Sequence, residues 1–447
     1  MKRILTIAGS DSGGGAGIQA DLKTITVLGS YGMSAITALT AQNTVGVQGV
    51  HPVPVDFITR QMESVLSDLG ADAAKTGMLA TPEIVLAVAE QLKRFRVERL
   101  VVDPVMVAKS GDALLSESAR ITIRDDLLPL AHVVTPNLPE ASELCGSPVR
   151  DLDAMKAAAR KIHELGPRFV LVKGGHLTGD AVDVLFDGDD FRIFDAPRLN
   201  NRNTHGTGCT FSAALATFLG QGMPTPKAVA EAKKFITRAI ALGLDLGSGH
   251  GPTNHYAHVL RFVERERVLR DLQKGVERLF CEPMGDVIPE VRSNFGYAVP
   301  GAIDHQEVAA IPGRISQAGA RLLVCRDPAF GASRHIAKVI LAAMMADPEI
   351  RSAMNIRYSS KMVEICRSVG LQTASFDRGE EPNEVKAQEG STLEWGTRRA
   401  LKGVDPVPDV VYDEGEKGKE PMIRILGKNP MEVAEKVLRI WRASGTP

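Results

Sequence analysis

The segment Asn203-Thr204-His205-Gly206-Thr207-Gly208-Cys209-Thr210-Phe211-Ser212-Ala213-Ala214 constrains this chain more than any other, because two glycines stand where an extended stretch turns into a helix of small residues. Gly206 and Gly208 let the backbone approach a phosphate with no Cβ in the way. The first N–H groups of the helix have no carbonyl four residues back, so they face the same point and form an anion cradle. Taken alone, G-x-G also fits an ordinary glycine turn capping a buried helix.

The N-terminus supplies a second glycine loop. Strand-like residues 3–8 run into Gly9-Ser10-Asp11-Ser12-Gly13-Gly14-Gly15-Ala16-Gly17-Ile18-Gln19-Ala20-Asp21, a nucleotide-fold opening that lacks the Walker lysine and the dinucleotide spacing. Its glycines point to close approach by a substrate. Apolar runs Leu100-Val101-Val102, Val133-Val134-Thr135 and Phe169-Val170-Leu171-Val172 alternate with helical patterns over 82–95 and 151–165, the alternation of a mainly parallel sheet. Ligand sites in such sheets lie beyond the strands' carboxyl ends, where Asp103, Asn137 and Lys173 fall. Residues 181–186 and 191–194, joined by Asp187-Gly188-Asp189-Asp190, read as a hairpin, and helices are predicted over 208–219 and 226–244.

Length and charge bound the function classes. A chain of 447 residues, 44% hydrophobic, is long enough for two or three domains with real cores. Lys plus Arg (53) balances Asp plus Glu (54), so no field recruits nucleic acid or an anionic membrane, and neither is expected as a partner. No apolar run has the length of a spanning helix, and the chain enters a strand at once without a signal peptide's apolar stretch, so a cytoplasmic location is expected. Cys145, Cys209, Cys281, Cys325 and Cys366 are odd in number and show no C-x-x-C spacing, which argues for reduced thiols.

The two glycine loops, with Ala41-Gln42-Asn43-Thr44, Val102-Asp103-Pro104, Thr135-Pro136-Asn137-Leu138-Pro139-Glu140 and Val172-Lys173-Gly174-Gly175-His176, make residues 1–258 resemble the hydroxymethylpyrimidine and hydroxymethylpyrimidine-phosphate kinases of thiamine synthesis. The expected fold is α/β, a ribokinase-like mainly parallel sheet flanked by helices, followed by a second α/β domain. The resemblance implies two successive phosphorylations, with ATP as co-substrate and Mg²⁺ as cofactor. An alcohol attacking ATP needs its oxygen aligned, the γ-phosphate charge neutralised and a metal held against the phosphates. Asp103 and Glu140 can hold Mg²⁺ directly or through water with Asn137 nearby, and Lys173 can reach phosphates as a point charge. The resemblance adds Thr207 as a nucleotide contact and Asp21, Gln42 and Met78 as candidates for the pyrimidine pocket. Cys209 stands where related sugar kinases place an aspartate base. A thiol at a helix N-terminus is expected to have a lowered pKa and to assist deprotonation of the hydroxyl; the bland alternative is a small core cysteine. Some pyridoxal kinases share this cysteine, so a pyridoxal/pyrimidine kinase of broader specificity stands as an alternative.

The polar, glycine-rich residues 247–255 resemble the end of the kinase family's sequence, and a domain boundary is expected shortly after them. Beyond it come a charged helix over 263–280, a strand over 321–324, a helix over 333–345 and a closing helix over 430–441. Arg314 follows the tight turn Pro312-Gly313, and His335 lies in the first turn of a helix with Ser333 as its N-cap. Residues 267–447 resemble the thiamine-phosphate synthase domain found fused behind this kinase, and Arg314 and His335 match the arginine and histidine regarded as essential there. The implied reaction condenses the pyrimidine pyrophosphate with thiazole phosphate. The alternative is a thiamine-phosphate-sensing domain without catalysis. Small-molecule substrates and assembly into a homo-oligomer complete the expectations.

Overall fold

The computed structural model describes residues 1–106, 116–175, 177, 180–199, 201–382, 392–416 and 419–445; His176 of the kinase-like motif lies outside them. The chain divides into two compact units, Met1–His258 and Val259–Pro447.

The first unit is built on nine strands: β1 (Arg3–Asp11), β2 (Tyr31–Gln42), β3 (Val47–Pro52), β4 (Ala73–Thr76), β5 (Leu100–Val102), β6 (Val133–Val134), β7 (Phe169–Gly174), β8 (Ala181–Phe186) and β9 (Phe191–Ala196). They lie in the order β3-β2-β1-β4-β5-β6-β7-β8-β9. The ladders from β2 to β7 are parallel, and β3, β8 and β9 add antiparallel edges. Both faces are apolar because successive residues point to opposite sides. Leu5, Leu100, Val102, Val170 and Val172 join one core with the helices Val55–Asp68, Pro82–Arg94 and Leu152–His163. Ile4, Val101 and Leu171 join the other with Gly17–Val27, Thr207–Gly220 and Thr225–Ala241. This last helix ends before the expected Leu244 because the chain turns against Asn203: a Cβ on Gly243 would lie 2.7 Å from Asn203 Cβ.

The first connection from β1 goes to β2 on one side and the next to β4 on the other. That reversal opens a crevice at the strands' carboxyl ends, the place where ligands bind in such sheets.

The second unit carries β10 (Phe295–Ala298), β11 (Val308–Ala310), β14 (Ala329–Phe330), β15 (Ser352–Arg357), β16 (Thr373–Ser375), β17 (Val410–Asp413) and β18 (Met422–Gly427), ordered β14-β11-β10-β15-β18-β17-β16. All of its ladders are antiparallel except β16 with β17. The strand expected over 321–324 is β13 (Arg321–Leu323); among the described residues it pairs only with β12 (Ser316–Ala318), apart from the main sheet. Helices Arg265–Phe280, Arg334–Ala346 and Pro430–Ala443 contribute Leu272, Ile340 and Val437 to one core with the sheet. The expected helix over 263–280 is two helices, Ala257–Val263 and Arg265–Phe280, meeting at Glu264.

Candidate active sites in the two units

The two glycine loops of the first unit meet. Gly206 is the N-cap of helix Thr207–Gly220 with φ 78°, a backbone conformation that glycine adopts without cost. A Cβ at Gly206 would lie 1.7 Å from the Gly15 carbonyl oxygen, so the loops pack backbone to backbone and only glycine fits. Asp11 ties the contact together: one carboxylate oxygen accepts the N–H of Gly15 (3.0 Å) and Ala16 (2.8 Å) and meets His205 Nε2 at 2.9 Å, while the other accepts the N–H of Gly13 (2.8 Å). Burial raises the Asp11 carboxyl, but the hydrogen bonds from His205 and from these amides outweigh it and hold the group below its usual range.

At the carboxyl ends of β5 and β7, Lys173 Nζ lies 3.2 Å from Asp103 Oδ1, and Ser212 donates to Asp103 Oδ2 at 3.0 Å. A Cβ on Gly208 would lie 3.6 Å from both Asp103 Oδ2 and Lys173 Nζ. The start of the helix therefore opens directly onto this pair. Thr207 directs its hydroxyl to the Thr204 carbonyl, 2.7 Å away. Asn137 and Glu140 form a capping box on helix Leu138–Cys145: Asn137 Oδ1 accepts the Glu140 N–H (2.9 Å) and Glu140 Oε2 accepts the Asn137 N–H (2.8 Å). Burial pushes Glu140 up to about 7, against Lys173 and with Asp103 adding to the rise. The amine of Lys173 is held protonated by Asp103 and Glu140 despite its burial.

These residues fit a magnesium ion. Asp103 raises Glu140 while both carboxylates share a single lysine, and a divalent cation would relieve that repulsion. No group of three or more acidic, histidine or cysteine side chains suited to a metal occurs among the described residues, so phosphates and water would complete the coordination.

The candidate pyrimidine residues divide into two environments. A Cβ on Gly9 would lie 3.3 Å from Met78 Sδ, and one on Gly13 3.3 Å from the Gln42 carbonyl oxygen, so the first glycine loop lies against both. Gln42 is half-buried, with Nε2 3.5 Å from His205 Nε2 and Oε1 accepting from Thr40 at 3.2 Å. Asp21 is fully buried: one oxygen meets Lys75 Nζ (2.8 Å) and the Thr6 hydroxyl (2.6 Å), and the other has no hydrogen-bond partner among the described residues. Burial raises Asp21 and Lys75 opposes it. At Lys75 the same pairing outweighs burial and keeps the ammonium charged.

Cys209 corrects one expectation. Burial pushes its thiol up to about 11; Lys75 pulls down, but Asp21 and Asp103 push the same way as burial. The residue retains partial solvent exposure, which tempers the desolvation without reversing its direction. The free enzyme therefore holds a neutral thiol, because burial, helped by two nearby carboxylates, outweighs the pull of Lys75. Asp11, His205, Lys75 and Ser212 were not assigned from sequence. A carboxylate inside a glycine loop and a lysine within Ala73-Ala74-Lys75-Thr76 are the available signals, but nothing in the sequence pairs Lys75 with Asp21, 54 residues away.

In the second unit, Arg314 and His335 line one cavity of about 450 Å³. Ser333 caps helix Arg334–Ala346 through the Ile336 N–H. His335 is held below its ordinary value by burial and by Arg314, Lys338 and Arg424, so the imidazole is neutral at pH 7. Arg424 is buried on β18, 2.8 Å from Asp413, which also takes Arg378 Nε at 2.6 Å.

A family model described as phosphomethylpyrimidine kinase matches residues 11–254, and one described as thiamine-phosphate synthase ThiN matches residues 271–439. The chain is 56% identical over 253 residues to thiamine biosynthesis bifunctional protein ThiED of Geobacter sulfurreducens, covering 56% of this chain and 52% of that protein. It is 53% identical over 252 residues to the hydroxymethylpyrimidine/phosphomethylpyrimidine kinase of Streptomyces coelicolor, covering 56% of this chain and 93% of that one. The chain thus spans about half the length of ThiED and nearly all of the single kinase. Among solved structures, an ADP complex of Bacillus subtilis pyridoxal kinase superposes with a TM-score of 0.55 at 43% identity, covering 58% of this chain and 99% of that one. Staphylococcus aureus pyridoxal kinase with AMP-PCP and pyridoxal gives 0.54 at 38%, covering 58% and 95%. The first unit has this ribokinase-like fold, and the chain belongs to the phosphomethylpyrimidine kinase family, with a ThiN-type thiamine-phosphate synthase domain behind its kinase domain.

Proposed function

We propose that the first unit transfers phosphate from ATP to hydroxymethylpyrimidine and then to its phosphate, and that the second condenses the resulting pyrophosphate with thiazole phosphate to give thiamine phosphate. The observation that carries the kinase half is the docking of the two glycine loops, which brings the Gly206–Gly208 cradle, Asp103, Lys173 and Cys209 to one end of the sheet. The backbone amides of Gly208 and Cys209 and the ammonium of Lys173 receive the charge that develops on the transferred phosphoryl group. Thr207 positions the nucleotide. Asp103 and Glu140 would hold Mg²⁺ directly or through water beside Asn137, and the ion supplies further charge neutralisation.

The neutral Cys209 thiol aligns the substrate hydroxyl. In a loose phosphoryl transfer this oxygen needs positioning more than early deprotonation. Gln42 and Met78 contact the pyrimidine. Asp21, with no exposed surface, acts through Lys75 as a positioning residue. The carbon centre in the second unit loses pyrophosphate as the thiazole nitrogen attacks. Arg314 and the N–H groups after Ser333 stabilise that leaving group, and neutral His335 hydrogen-bonds a phosphate oxygen or handles a proton.

Incubating the full chain with hydroxymethylpyrimidine, ATP, Mg²⁺ and thiazole phosphate should yield thiamine phosphate. If pyrimidine pyrophosphate accumulates while the second unit binds thiamine phosphate and never forms it, that unit is a sensor. The likeness to pyridoxal kinases favours one second reading, a kinase of broader specificity, and pyridoxal turnover in the same assay measures it. Five unpaired thiols fit a reducing compartment such as the cytoplasm. Exposed Leu39, Val45 and Val50 along the β2–β3 edge support a homo-oligomer, which light scattering tests.

A further inference from the structure

We infer that Arg292 is a second anion-binding arginine of the ThiN-type unit, set beside Arg314 so that the two guanidinium groups together receive a diphosphate. The inference rests on the condensation proposed above.

The two arginines close matching turns. Arg292 N–H donates to the Pro289 carbonyl (2.9 Å) and Arg314 N–H to the Ile311 carbonyl (3.2 Å), and both residues have positive φ, 67° and 69°. Among the described residues only Arg96 shares that conformation without being glycine. The residues that follow, Ser293 and Ile315, are fully buried and bridge antiparallel through hydrogen bonds of 3.0 and 2.7 Å. Side chains alternate across such a pair, so Arg292, Asn294 and Arg314 share the opposite face, and all three line the cavity that holds His335. Arg314 donates to the Val291 carbonyl, which lays its guanidinium against the Arg292 turn. Asn355 fixes that turn, donating to the Arg292 carbonyl (3.2 Å) and accepting the Asn294 N–H (2.7 Å).

Charge decides the occupant. Arg292, Arg314 and Arg334 line the cavity against one carboxylate, Glu290, and no described residue pairs with the guanidinium of Arg292. His335 is neutral, so Arg314 and His335 alone offer a single full charge. A guanidinium fork matches one phosphoryl group, and a diphosphate has two. The cavity of about 450 Å³ is large enough for that group and part of what it is attached to.

The test uses the full-length chain and three variants, Arg292→Gly, Arg292→Lys and Arg314→Ala. Glycine accepts the positive φ, so Arg292→Gly should melt at or above the wild-type temperature. It should nevertheless bind inorganic pyrophosphate, measured calorimetrically with Mg²⁺, about tenfold or more weaker, and raise the KM for pyrimidine pyrophosphate by a similar factor. Arg292→Lys should recover part of that loss, and the first unit's phosphorylation rate should not change in either. Arg292→Gly within twofold of wild type on both measures, with Arg314→Ala impaired, overturns the role of Arg292 and leaves the condensation reading intact. Arg314→Ala also at wild-type level removes the diphosphate from this cavity, and the inference falls with the reading beneath it.

Discussion

Cys209 and Glu140 both hold their protons to a higher pH than their residue types ordinarily do, chiefly through burial, with Asp103 adding to the rise in each. Cys209→Ala should lower both phosphorylations by about a hundredfold through a misaligned hydroxyl, while stability changes by no more than about 1–2 kcal/mol. Near-normal turnover in the folded variant would reduce the thiol to packing. The raised thiol also predicts that alkylation by iodoacetamide is slow at neutral pH and keeps accelerating beyond pH 9, the ordinary thiol value. Glu140 gives a stability signature. In the unfolded chain it ionises near 4.5, whereas in the fold it holds its proton up to about 7. Wild-type stability therefore falls as pH climbs through that window, because the unfolded state sheds the proton first. Glu140→Gln keeps an acceptor for the Asn137 N–H and should lack this decline, gaining roughly 3 kcal/mol on the wild type between pH 4.5 and 7.5 in denaturant titrations. An unchanged pH slope in the variant would mean that Glu140 is ionised in the fold.

At the scale of elements, the contact between the glycine loops is the feature least able to absorb a change. Gly206→Ala places a methyl 1.7 Å from the Gly15 carbonyl and forces alanine into left-handed backbone, which by itself costs about 1–2 kcal/mol. Phosphorylation should be abolished in an isotope-transfer assay while the condensation of supplied pyrimidine pyrophosphate continues. Retained kinase turnover would show that the two loops can separate without consequence. Both loops are legible in the sequence because glycine clusters at strand-to-helix junctions have few other uses. Buried strands such as β7 and the hairpin β8–β9 are legible through their continuous or alternating apolar residues. β2 is not, since Gly32, Ser34, Thr37 and Thr40 interrupt its pattern. Nor are β11 and β16, three residues each, whose small Ala, Thr and Ser side chains give no run of large apolar residues such as marks β5. The pair Asn137 and Glu140 reads equally as helix cap and as metal ligand, and its side chains are engaged in the cap. The rest of the site escaped because it is tertiary: Asp21 meets Lys75, and Asp11 meets His205, only after the sheet assembles.

For the whole molecule, the division at His258 and Val259 falls inside the helix Ala257–Val263. Cutting there would truncate an element on which the His258 ring lies tilted 5.5 Å from that of Phe235 within the first unit and Arg261 pairs with Glu307 at 3.0 Å within the second. Overlapping fragments that both keep it, 1–263 and 254–447, should each be active, the first as a kinase and the second in condensation of supplied substrates. Loss of both activities, with each fragment soluble and cooperatively melting, would show that the chain works only as a whole. The meeting of Asp11 with His205 spans 194 residues of chain, and this sets a timetable. A nascent chain has made β1 and its loop early in synthesis, yet the cradle that completes the phosphoryl site is among the last parts of that unit to leave the ribosome. Kinase activity should therefore appear abruptly in translation products released at about residue 263, where the helix Ala257–Val263 is complete, and be missing from markedly shorter ones, so that turnover itself reports the moment at which the first unit finishes folding.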